Sequence, residues 1–111
     1  MRATPQDRDR LENEARRLAE QLKALGALKI ILFGSLARGE ISLFSDIDLL
    51  AVFDDPRSVR ELTRWVYERI QTGESVDLVA YNQDAFAAAR ERPFIRHILR
   101  EGKVLYERPQ A

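Results

Sequence analysis

Four short runs of branched and apolar residues, at 28–33, 46–53, 75–81 and 103–107, alternate with amphipathic stretches along the chain. This alternation constrains the fold more than any other feature. Runs of this length and composition read as strands, and the stretches between them as helices. Thr4 and Pro5 resemble an N-cap and the first helical residue. Leu11, Ala15, Leu18, Leu22 and Leu25 then recur at helical spacing, and Gly26 is a left-handed stop. Residues 36–40 allow a single helical turn. Asp55 and Pro56 read as a second cap and helix start; Val59, Leu62, Val66 and Ile70 share a face, and Gly73 reads as the stop. Asn82 opens a helix reaching Arg90, Pro93 breaks it, and a further helical segment runs over 94–100 before Gly102. The order α-β-(short α)-β-α-β-α-α-β predicts an α/β (α+β) fold, a sheet with helices packed against it.

The chain has 111 residues, which predicts a single domain over 1–111, with 1–5 and 108–111 frayed. Eighteen basic residues balance eighteen acidic ones, so the net charge is zero. That argues against bulk nucleic-acid binding, whose footprint is strongly basic. No apolar run reaches the length of a membrane helix, and the polar N-terminus lacks a signal-peptide core. There is no cysteine, and one histidine leaves too few ligands for a zinc site of ordinary type. The expectation is a cytoplasmic domain whose chemistry rests on carboxylates and backbone.

The position of three aspartates carries the most information. Asp46 and Asp48 stand two apart on a predicted strand, so they point to one face with Cα atoms ~6.5 Å apart. Asp77 lies in the next strand between Val76 and Leu78, a similarly apolar setting. If those strands are neighbours, the three carboxylates meet. Each pair of charges ~5 Å apart would then repel by about 3 kcal/mol at an effective dielectric near 20. Divalent cations offset this best, and hard oxygen ligands suit Mg²⁺ or Mn²⁺. Two cations ~3.5–4 Å apart would share the Asp-x-Asp carboxylates. Taken alone, Asp-x-Asp fits the exposed face of an edge strand equally well.

Upstream, Gly34 and Ser35 follow a strand and precede a short helix. Glycine allows close approach of a ligand, and amides at a helix start attract anions. Gly-Ser, a ten-residue spacer, and Asp-x-Asp form one pattern. The stretch 33–53, FGSLARGEISLFSDIDLLAVF, resembles the signature of the DNA polymerase beta-like nucleotidyltransferases. More narrowly it is similar to the minimal nucleotidyltransferases, or MNT proteins. Asp77 in VDLVAY matches their later strand carboxylate. The resemblance implies a nucleotidyltransferase fold with a mixed sheet of about four strands. It also implies NTP binding with Mg²⁺ or Mn²⁺, and transfer of a nucleoside monophosphate with release of pyrophosphate.

In that reading Gly34 and Ser35 bind phosphate, Asp46 and Asp48 hold both metals, and Asp77 completes the site facing the nucleophile and accepts its proton. Arg38, in the family's Ala-Arg-Gly position, contacts phosphate or pairs with an aspartate. Ser45 caps or orients the Asp46 strand. His97 reads as structural or exposed, Trp65 and Tyr67 as packing or partner-contact residues, and Asp54 and Asp55 as capping groups. MNT proteins of this size resemble the antitoxin of two-gene modules whose toxin is an all-helical HEPN protein. The resemblance therefore suggests AMP transfer from ATP to a hydroxyl of that partner. A non-catalytic antitoxin that inhibits by docking, and a subunit modifying an aminoglycoside-type small molecule, are the alternatives. The oligomeric state, including a homo-oligomer, stays open.

Overall fold

The structure, a computed structural model, describes residues 4–41 and 46–109. The first helix, α1 (Pro5–Ala24), begins where its amides are capped. Thr4 Oγ1 accepts from the Asp7 amide at 3.2 Å, and the Thr4 amide donates back to Asp7 Oδ2 at 2.8 Å. Two amides that the first turn leaves without helical partners are thereby satisfied. Leu11, Ala15, Leu18 and Leu22 are buried along one stripe, and Gly26, at φ +105°, turns the chain out of the helix.

The remaining elements are β1 (Ala27–Phe33), α2 (Gly34–Arg38), β2 (Ile47–Phe53), α3 (Val59–Tyr67), β3 (Val76–Asn82), α4 (Gln83–Ala89), α5 (Pro93–Glu101) and β4 (Lys103–Glu107). The strands form one sheet in the order β3-β2-β1-β4. β1 is antiparallel to both β2 and β4, and β2 is parallel to β3. The sheet is therefore mixed and four-stranded, as the family resemblance implies.

Helices cover both faces. On one side α1, α2 and α3 bury Leu18, Leu22, Leu36, Leu62 and Val66 against Ile47, Leu49, Ala51 and Phe53. On the other, Phe86 of α4 and Ile95 and Ile98 of α5 pack on Ile31, Leu50 and Val52. Each fully buried leucine or isoleucine contributes roughly 1.5–3 kcal/mol. Central strand β2 is apolar at every position except Asp48, because both of its faces are covered. Edge strand β3 is held from α3. Thr63 Oγ1 accepts from the Ala80 amide at 2.9 Å, and Tyr67 Oη accepts from the Leu78 amide at 2.6 Å. These bonds occupy outward-facing amides that an edge strand otherwise exposes.

Two expectations are corrected. The cap of α3 is Ser58, whose hydroxyl accepts from the Glu61 amide at 3.2 Å, and not Asp55. Asp55 is already committed to Arg57: its carboxylate takes the Arg57 amide at 2.9 Å and the guanidinium at 2.9 and 2.7 Å. Nor does Gly73 stop α3, which ends at Tyr67 with Glu68 as its cap. The chain leaves the helix early because α1 captures it. Gln21 exchanges two 2.8 Å hydrogen bonds with the Gln71 backbone, and Arg17 donates to the Gln71 carbonyl at 2.6 Å. Ser45 lies outside the described residues. No helix among the described residues is long and apolar enough to cross a membrane.

Candidate active site

Side chains alternate along a strand, so Asp48 shares its face of the sheet with Leu50 and Val52, the side covered by α4 and α5. β3 runs parallel beside it in a register that places Asp77 opposite Asp48. Neighbouring strands lie ~4.8 Å apart, so the two carboxylates stand abreast. Asp46 immediately precedes β2, and the Ile47 amide donates to the Ser75 carbonyl at 2.9 Å. That bond ties the entry of β2 to the entry of β3. Asp46 and Asp77 are exposed, and Asp48 is half-buried. Asp77 is thus less apolar in setting than its neighbours in sequence suggested, because β3 is the edge strand.

On the other flank, Phe33 is the antiparallel partner of Asp48, and the next residue opens α2. Gly34 has φ +75°, a region that disfavours any residue with a Cβ. It is also closely approached. A Cβ there would run into Asp48 Oδ2 and stand 2.9 Å from Asp48 Cγ. The Gly-Ser turn and the Asp-x-Asp strand are therefore in direct van der Waals apposition, although thirteen positions separate Ser35 from Asp48 in the sequence. Ser35 is partly buried in the first turn of α2, and its carbonyl accepts from the Glu40 amide at 2.9 Å. The N-cap, Phe33, supplies no side-chain acceptor to this turn.

Burial pushes the Asp48 carboxyl up to about 6, helped by the neighbouring Asp77 and Asp46 charges; Arg38 opposes the rise. Arg38 is therefore within electrostatic reach of Asp48. Its Nε pairs with Glu40 at 3.2 Å, so the acid partner is a glutamate and not an aspartate. Among the described residues no three acidic or imidazole side chains are gathered tightly enough to enclose a cation as they stand. The donor set is nevertheless one that suits a hard divalent cation. Asp48 feels the charges of Asp77 and Asp46, Asp48 and Asp77 stand in register, and a bare Cα keeps the space beside Asp48 open to its carboxylate.

Asp54 follows the far end of β2 and is outside this cluster, as is Asp55. His97 lies exposed on α5, 3.9 Å from Glu101. Trp65 packs edge-on against Phe53 and lies between the guanidinium groups of Arg57 and Arg69, at 4.4 and 4.6 Å from its ring centre. Two contributors were not legible. Tyr67 Oη accepts from the Leu78 amide and donates to the Val76 carbonyl at 3.3 Å, bracketing Asp77. Phe94 packs edge-on against Phe33 at 5.9 Å and is half exposed. Its signal was a large apolar residue just outside the Ile95, Ile98 and Leu99 stripe of its helix.

Residues 16–111 match the family model described as polymerase beta, nucleotidyltransferase. The chain belongs to this nucleotidyltransferase family. A protein of Methanocaldococcus jannaschii, provisionally named a protein adenylyltransferase, is 35% identical over 101 residues, covering 85% of this chain and 99% of that protein. Among solved structures, a nucleotidyltransferase, also provisionally named, from Sulfolobus solfataricus matches with a TM-score of 0.66 at 22% identity, over 91% of this chain and 84% of that one. A chain from a toxin–antitoxin complex with AMP-PNP matches with a TM-score of 0.52 at 22% identity, over 83% and 73%. Both show the same fold. The matched span 16–111 includes Gly34, Asp48 and Asp77.

Proposed function

We infer that this chain transfers AMP from ATP to a hydroxyl of an acceptor protein and releases pyrophosphate. The observation that carries the reading is the single row formed by Gly34, Asp48 and Asp77 across neighbouring elements. Phosphate is assigned to Gly34 and Ser35, whose turn opens directly beside Asp48. Arg38, an exposed cation near Asp48, is assigned to phosphate as well.

Asp46, Asp48 and Asp77 are assigned to Mg²⁺ or Mn²⁺. Exposed carboxylates of like charge spread apart, and Asp46 and Asp77 keep the side-chain freedom to close on a cation. Bound there, two divalent cations would neutralise the carboxylates and the developing charge on the triphosphate. Asp77, on the outer strand, faces the acceptor. As the acceptor oxygen bonds to the α-phosphorus, the bond to pyrophosphate breaks, and Asp77 takes the proton leaving the hydroxyl.

An acceptor protein is favoured over a drug-like acceptor by the relative named as a protein adenylyltransferase. The structural neighbour in a toxin–antitoxin complex with AMP-PNP supports a toxin as the acceptor, and the motif's resemblance to MNT proteins supports a HEPN toxin. The test is incubation with α-labelled ATP, Mg²⁺ and the HEPN partner. Label on the partner, lost in Asp46→Asn with Asp48→Asn, is the expected result. No label from the wild type, with inhibition surviving both substitutions, would establish a docking antitoxin instead. Label on an aminoglycoside without protein acceptor would establish the third reading.

A further inference from the structure

A groove of about 530 Å³ lies on the same face of the sheet as Asp48 and Asp77, lined by Tyr81, Ala85, Ala88, Arg92, Phe94 and Ile95 among others. Its apolar lining has a simple origin. Helix α4 presents small alanines here, so α4 and α5 leave part of the sheet's second face open between them.

Two contacts join the groove to the carboxylates. One wall, Phe94, rests against Phe33, the register partner of Asp48. The floor, Tyr81, is two side chains along β3 from Asp77 on the same face. Asp77 and Tyr81 are thus separated by about 13 Å along the strand, within reach of a short extended peptide.

Charge narrows the occupant. Arg92 is the one charged side chain among the described residues that line the groove. Arg92, at the groove, and Arg96, one turn further along α5, have no carboxylate partner among the described residues, and both are exposed. An apolar groove whose one charged lining residue is an unpaired guanidinium fits an apolar segment bordered by a carboxylate.

We propose that this groove docks an acidic amphipathic segment of the acceptor protein and so delivers the acceptor hydroxyl to Asp77. The proposal rests on the reading of transfer to a protein, but the two fail separately, because docking is read without nucleotide and transfer with labelled ATP.

The probes are a synthetic peptide alternating leucine with glutamate and its lysine counterpart, titrated into the full ¹⁵N-labelled chain. The glutamate peptide is expected to shift the amides of Ala85, Ala88, Phe94 and Ile95, and the lysine peptide to leave them unmoved. Arg92→Glu with Arg96→Glu is expected to invert that preference, the glutamate peptide losing about tenfold or more in affinity. Inversion requires a folded groove, so a misfolded variant cannot mimic it. Phe94→Ala should weaken the glutamate peptide. Equal binding of the two peptides, shifts centred elsewhere, or the same shifts produced by ATP alone or by raising the protein concentration would each overturn the proposal.

Discussion

Gly34 and Asp48 share one small volume: the carboxylate of Asp48 stands where a side chain on Gly34 would begin. Each residue restricts the other. The glycine makes room for the acid, and the acid's position fixes how the Gly-Ser turn sits against β2.

Gly34→Ala should therefore fail twice. The positive φ adds strain of about 1–2 kcal/mol, and the new methyl displaces the Asp48 carboxylate. Gly26→Ala is the control, since it has φ +105° and nothing within 4 Å of its Cβ position. Both variants should lose stability in urea, and only Gly34→Ala should lose nucleotide transfer. Equal transfer losses would mean that strain alone matters.

Asp48 makes stability fall with pH. Its pKa is raised from 3.8 to about 6 by burial and by the Asp77 and Asp46 charges. A raised carboxyl is easier to protonate in the folded chain, so its contribution is complete below pH 3.8 and is lost as pH climbs through about 6. Relative to Asp48→Asn, the wild type should lose stability over that window in unfolding measured without divalent cations. Solvent at this half-exposed group keeps the effect small. Added Mg²⁺ should raise the melting temperature of the wild type above pH 6, and not that of Asp48→Asn.

Tyr67→Phe removes the hydroxyl that brackets Asp77 through Val76 and Leu78. It should lower stability by about 1 kcal/mol and reduce transfer with little change in ATP affinity. A kinetic split between acceptor and ATP would show this; a matching loss of ATP affinity would contradict it.

Beyond the C-terminus of α3, Gly73→Ala should be within about 1 kcal/mol of the wild type, because a Cβ there meets nothing within 4 Å. Gln21→Ala should instead destabilise by about 1–2 kcal/mol through its two lost bonds to Gln71. Urea midpoints would rank the two.

Legibility followed the range of the interactions. The Leu11 to Leu22 stripe and the run from Ile47 to Phe53 are periodic signals confined to one element, and both elements formed where those patterns lie. The juxtaposition of Asp48 and Asp77 needed only the pairing of two strands. The start and end of α3 were misread because they are settled by distant partners. Asp55 is claimed by Arg57, which stacks on Trp65, and the loop after Tyr67 is claimed by Gln21 and Arg17 of α1. The contact between Gly34 and Asp48 was implicit in a motif, but the overlap of their volumes is a property of three dimensions alone.

The parallel pairing of β2 with β3 acts as a caliper. Moved by one residue, Leu78 would stand beside Asp48, and Asp77 would turn toward Leu62 and Val66, where α3 holds an apolar layer. A carboxylate driven into that layer would oppose folding strongly. The hydrogen-bond alignment that keeps Asp77 in water is thus the alignment that keeps it beside Asp48. A chain that folds at all arrives with its carboxylates already measured against one another.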